Sequence, residues 1–267
     1  MAPLTAGIAD SIGAAACALA ELIFSWGGLI LSATVHLVLL GGFECAWGGS
    51  VIPLPLGAQR LLALLALRDG GAHRAGAAER LWPDSSTTRA AGNLRSALWR
   101  SRRIEETTVV ECAGPRLRLS PSVRVDLRAV HRQIRDLPDG GSGGADPDRE
   151  DLVAALSREL LPEWADDWLV IDRERWDQVR LHALEDVAEQ FLAGQRYLAA
   201  LKTALAAIAV EPIRETAHRI VIEVHLAEGN PASALRHYRR YQAQLHRELG
   251  VAPSSRMVRL ASTLLSS

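Results

Sequence analysis

"TTRAAGNLRSALWRSRR", residues 87–103, decides how the rest of the chain is read: it holds five arginines and no acid. On a helix turning about 100° per residue, Arg89, Asn93, Ser96, Arg100 and Arg103 fall within roughly 80° of one another. Ala90, Leu94, Ala97, Leu98 and Ile104 gather on the opposite side, so the segment has one apolar and one cationic face. Gly92 lies on the cationic side and costs about 1 kcal/mol of helix propensity relative to alanine. That cost makes sense where backbone must come close to something. Most charged helix faces meet only water. This one has no carboxylate partners and mixes arginine with asparagine and serine. Arginine pairs bidentately with guanine and asparagine with adenine, each pair discriminating by about 1–3 kcal/mol. The expectation is a major-groove helix reading bases with Arg89, Asn93, Ser96, Arg100 and Arg103. Arg95 and Arg102 sit roughly 120–140° from the stripe's centre and are assigned, with Thr88, to flanking phosphates.

The neighbours of this segment strengthen the reading. Residues 33–56 hold β-formers broken by two Gly-Gly pairs and two prolines, which predicts a small antiparallel meander. From residue 57 the period becomes helical, with Leu61, Leu64, Leu65 and Leu67 along one face and Gly70-Gly71 as the stop. A short helix over 75–82 ends at Pro83, and Ser85 or Ser86 is placed to cap the arginine-rich helix. After it, 107–120 reads as a hairpin turning at Ala113-Gly114-Pro115. Arg116 and Arg118 on its return strand point to one side and are assigned to a minor groove or phosphates beside the helix. The order is strands, three helices and a hairpin.

Charge divides along the chain. Residues 33–136 carry 15 arginines against 9 acids, and 137–267 carry 15 basic residues against 20 acids, within a formal net charge of −1. One half is suited to a polyanion and the other is not. The chain of 267 residues is long enough for two ordinary domains. Cys17, Cys45 and Cys112 show no CxxC spacing, so neither a disulfide framework nor a zinc site is expected, and a reducing cytoplasm fits. Residues 22–40 are apolar enough to raise a membrane segment. However, Gly27-Gly28 interrupts them, no Lys or Arg flanks them, and "TVHLVLL" reads better as a strand. Residues 1–32 are set aside as an extension, and no membrane partner is expected.

"LPDGGSGGADPDRE", 137–150, has almost nothing to bury and reads as a flexible linker. Beyond it the pattern predicts helices over 151–161, 167–193, 195–210, 213–228, 231–249 and 254–265. "LAGQRYLAAL" (192–201) resembles "LAEGNPASAL" (226–235), with glycines 35 apart and Ala-Leu pairs 34 apart, the tetratricopeptide period. The fold class expected is an α+β winged helix-turn-helix domain over 33–136, followed by an all-α tetratricopeptide-like helical-repeat domain over 151–267.

On these residues the chain resembles a known family. The motifs are "RLWPDSSTTRAAGNLRSALWRSRR" (80–103), "VRVDLRAV" (123–130) and "LRHYRRYQAQLHRELGVAPSSRMVRL" (235–260). Residues 33–136 resemble an OmpR-type winged helix and 150–267 a bacterial transcriptional activator domain. Together they are similar to the Streptomyces antibiotic regulatory protein family. The resemblance implies an activator that binds direct repeats in double-stranded promoter DNA as a side-by-side homodimer and contacts RNA polymerase. It also implies a recognition helix at 86–103 and a wing at 108–120, with Val125-Asp126-Leu127 as the step out of the wing. The family's first strand usually lies near the N-terminus, so 1–32 are surplus to its pattern.

Catalytic machinery is not expected. No GxSxG, P-loop or GxGxxG stands in register with a strand and helix, and His218 and His225 lack an HExxH frame. No metal and no cofactor is therefore predicted. Trp164, Trp168 and Trp176, and Tyr238 and Tyr241 beside Arg239 and Arg240, read first as packing within helices. The competing reading of the whole chain is a helical-repeat protein–protein scaffold without specific DNA binding.

Overall fold

The computed structural model describes residues 34–137 and 147–265. The extension 1–32 and residues 138–146 of the expected linker thus lie outside the described residues, as does Cys17. Two compact units emerge: the first runs to Leu39 and resumes over Phe43–Asp126, and the second takes Leu40–Gly42 and everything from Leu127.

The first unit opens with β1 (Val35–Val38), β2 (Glu44–Trp47) and β3 (Ser50–Val51), the expected meander. Alternation along β1 buries Val35 and Leu37 and leaves His36 outside. β2 pairs antiparallel with β1 and with β3, while a late strand, β9 (Arg124–Val125), joins β1 in parallel. Beyond the end of that ladder, the Asp126 carboxylate accepts the Leu39 N–H with both oxygens at 3.0 Å. The "VRVD" motif therefore closes the sheet.

α1 (Leu56–Ala66) buries every residue from Leu61 to Ala66, more than the single face expected. Two helices and a strand, α2, α3 and β8 below, pack around it. Leu67, expected on its apolar face, is instead its half-buried C-cap. Gly71 then turns with φ +72 into β4 (Ala72–His73). α2 (Arg74–Leu81) starts where His73 Nδ1 accepts the Ala75 N–H at 3.3 Å. α3 (Thr87–Ser101) starts where Ser86 Oγ accepts the Arg89 N–H at 3.4 Å. After it come β5 (Arg103–Ile104), β6 (Thr107–Thr108), β7 (Val110–Ala113) and β8 (Arg116–Leu119). β5 and β6 form a ribbon, and β4, β8 and β7 form a three-stranded sheet in that order.

The second unit is helical: α4 (Asp126–Arg135, its first residue counted with the first unit), α5 (Pro147–Leu156), a 3₁₀ turn (Asp167–Leu169), α6 (Val170–Ala193), α7 (Tyr197–Val210), α8 (Glu215–Ala227), α9 (Pro231–Leu249) and α10 (Ser255–Leu265). From α5 to α10 each helix packs on the next, as stacked helix pairs require. Ala200 and Ala234, the matched positions of the sequence repeat, are both fully buried, so small side chains recur where helices approach. The bounds of α5 move furthest from those expected. α5 begins at Pro147, inside the stretch read as linker, because proline suits a first helical turn. It ends at Leu156, with Ser157 Oγ donating back to the Val153 carbonyl at 2.8 Å. The loop that follows is gathered by Arg173, whose guanidinium donates to the carbonyls of Leu160 (3.0 Å), Leu161 and Trp164 (2.5 Å).

Candidate nucleic-acid interface

α3 is held by its apolar side. Ala90, Leu94, Ala97, Leu98 and Ser101 are buried, and α1 and α2 pack against the helix. Ser101 is tolerated inside because its hydroxyl donates to the Ala97 carbonyl at 2.9 Å. Thr88, Arg89, Arg95, Ser96, Arg100 and Arg102 are exposed, and Asn93 is half-buried. The structure thus brings these residues onto one outward face.

Arg103 is the exception and corrects the expectation. The helix ends at Ser101 with Arg102 as its C-cap, and Arg103 enters β5 opposite Thr108, its guanidinium 3.4 Å from the Glu106 carbonyl. A tight Glu105-Glu106 turn, with Glu105 at φ +50, reverses the chain before another helical turn can form.

The face is also rotated from the one drawn on the arginines. Opposite the centroid of the buried side chains, the outermost line passes within roughly 40° of Gly92, Ser96 and Trp99. Arg95 and Thr88 flank it on one side, and Arg89 and Arg100 on the other. Trp99 had no place in the sequence reading, yet it is 78% exposed and the Arg100 guanidinium lies 5.2 Å from its ring centre. The signal was available: Trp99 is the one large apolar residue of the helix that does not share the core side. Gly92 has open space where a Cβ would stand, the nearest atom being Arg95 Nη2 at 3.8 Å.

The hairpin is tied to the end of this helix. The Arg102 carbonyl accepts the N–H groups of both Val109 (2.9 Å) and Val110 (3.2 Å). Its turn is the two-residue Gly114-Pro115, with Gly114 at φ +56, the pattern of a type II′ hairpin. Arg116 and Arg118 are exposed while Leu117 and Leu119 are buried, so both arginines stand on one side as expected. Arg118 lies across from Glu111, and Arg116 Nη1 is 3.5 Å from the Gly70 carbonyl. Among the described residues no carboxylate is within ion-pairing distance of Arg89, Arg95, Arg100, Arg102, Arg103, Arg116 or Arg118. The arginines of α3 thus face outward with no ion-paired acid among the described residues, which leaves a positive field on that face.

The residues set aside as packing are accounted for in the second unit. Trp176 is buried, with its N–H donating to the Arg158 carbonyl at 2.9 Å, while Trp164 and Trp168 are half-buried. His218 lies 5% exposed against the ring of Tyr241. Arg214 forks onto the buried Glu185 at 2.9 and 3.1 Å, joining α6 to the start of α8. Burial, reinforced by Glu44, pushes the Cys45 thiol up to about 11, which makes it unsuited to nucleophilic work. Among the described residues no group of three His, Cys, Asp or Glu is placed to hold a metal ion. None of their helices is long and apolar enough to cross a membrane.

Comparison with known proteins agrees with this architecture. Residues 145–265 match the family described as bacterial transcriptional activator domain. Among solved structures the chain is similar to Mycobacterium tuberculosis EmbR in complex with a low affinity phosphopeptide, with a TM-score of 0.67 and 20% identity. The match covers 88% of this chain and 66% of that one, so the chain spans about two thirds of its length. At that identity the likeness is one of fold. No curated protein matches the chain.

Proposed function

We infer, from the match of residues 145–265 to the bacterial transcriptional activator domain and from the exposed cationic helix before it, that the chain is a regulator of the Streptomyces antibiotic regulatory protein type and activates transcription by binding specific sequences in double-stranded promoter DNA. The first unit, to Asp126, would bind the duplex and the helical second unit would serve protein contacts. α3 enters the major groove. Arg89, Asn93, Ser96 and Arg100 read bases, while Thr88, Arg95 and Arg102, with Arg116 and Arg118 of the wing, hold phosphates or the adjacent minor groove. Two copies bind side by side on direct repeats, the acidic helical half meets RNA polymerase, and the protein works in the cytoplasm.

The single observation that carries this reading is the exposed face of α3, whose arginines have no ion-paired acid among the described residues. Arginines that neutralise phosphates release counterions, so log affinity falls with log salt at about −0.9 per phosphate contacted. A gel shift of the full chain against DNA upstream of its own gene, over a range of salt, tests the reading. Retardation that weakens steeply with salt and resists nonspecific competitor is expected. Absence of any shifted band at low salt favours the protein–protein scaffold instead.

A further inference from the structure

We propose that Trp99 is a specificity-determining residue that covers the 5-methyl group of a thymine in the major groove. The proposal rests on the duplex-binding reading above and adds to it a chemical preference that arginines do not provide. Trp99 is the most exposed of the large apolar side chains among the described residues, at 78%. It lies within roughly 25° of the outward direction of α3, close to the helix's C-terminal end at Ser101, one turn from Arg95 and Ser96 and two from Gly92. Arg95, Ser96, Trp99 and Arg100 together line a shallow depression.

The surroundings select the occupant. Arg95 and Arg100 flank the indole, and no carboxylate among the described residues reaches either, so the occupant is an anion of extended charge. The indole offers one N–H and no acceptor, and with Arg100 already on its ring the surface it leaves open suits an apolar group. The major groove of DNA meets both demands: phosphates line its walls, and the thymine methyl is the apolar group on its base edges. Ser96 beside the ring and Gly92 one turn beyond Ser96 are small, leaving room for the base edge to approach.

The test uses duplexes that the full-length wild-type protein selects from a random pool, with each thymine replaced in turn by deoxyuridine. The wild type is expected to lose about 3- to 5-fold in affinity at one thymine, the equivalent of one buried methyl, with an unchanged salt slope. Trp99→Ala is expected to bind the thymine duplex more weakly and to show no further loss at that deoxyuridine. Silence of every deoxyuridine in the wild type overturns the proposal, as does a Trp99→Ala variant that keeps the loss. A selection that enriches no duplex refutes the DNA-binding reading itself, an outcome distinct from both. The wild-type scan reads the contact without any substitution, so it stands whether or not the variant folds.

Discussion

His218 stacks on Tyr241 with ring centres 4.3 Å apart, and its Nδ1 lies 2.9 Å from His237 Nε2. Its own Nε2 is 2.9 Å from the Pro212 carbonyl. A carbonyl only accepts, so His218 carries its proton on Nε2 and its bare Nδ1 takes the N–H of His237. Both rings are neutral in this arrangement. Burial first, then the neighbouring His218, His225 and Arg240, hold His237 down to about 4, and burial lowers His218. Tyr241 reaches toward Glu215, which also accepts from Ser254 at the start of α10. A histidine whose folded pKa is depressed stabilises the fold above its unfolded pKa near 6.5, and that stability drains as pH falls toward 4. The unfolding free energy from urea titration should therefore drop between pH 6.5 and 4.5, by roughly 2 to 3 kcal/mol for His237. His237→Gln should flatten that dependence; a variant as acid-sensitive as the wild type would remove His237 from the account.

Gly71 carries a second prediction. Its φ is +72, and a methyl there would overlap the Leu117 carbonyl oxygen and Arg118 Cγ. Gly71→Ala must therefore strain the turn and push β4 off β8, the return strand of the wing. The left-handed backbone alone costs about 1–2 kcal/mol, and the overlap adds to it, so a loss of at least about 2 kcal/mol is expected by thermal or urea unfolding. An unchanged Tm would mean that β4 does not dock on β8 as described.

Gly92 behaves in the opposite way. Space is open around it and its backbone is helical, so Gly92→Ala should stabilise the free protein by about 0.5–1 kcal/mol. If α3 lies close in a groove, the added methyl should at the same time raise the Kd for the selected duplex. Calorimetry and binding measured on one preparation separate the two effects, and a variant both more stable and equally tight would show that the backbone keeps its distance.

Much of this was legible in the sequence because punctuation and period agree. In the second unit Gly194, Pro212, Gly229-Asn230-Pro231 and Gly250–Pro253 part the helices, and the observed ends follow within a few residues. At two of the places where ends move, a side-chain-bearing residue has taken a conformation that the sequence does not advertise. Gln195, not Gly194, adopts the left-handed turn at φ +58, so α7 starts at Tyr197 rather than 195. Glu105 does the same before β6, which takes Arg103 off the helix. The orientation of α3 was drawn on its cations, whereas packing sets it by what is buried. Ser101, a polar residue, joins the core side with its hydroxyl bonded to the Ala97 carbonyl, and burial of that side leaves Trp99 outward.

Binding-site selection with the wild type and with Arg100→Ala tests the central claim most directly, since Arg100 is exposed on α3 and free of any acid among the described residues. The expected result is a loss of about 1–3 kcal/mol for the wild-type sequence together with relaxed preference at one base pair. Identical affinity and identical selected sequences for the two proteins would contradict the placement of this helix in the groove.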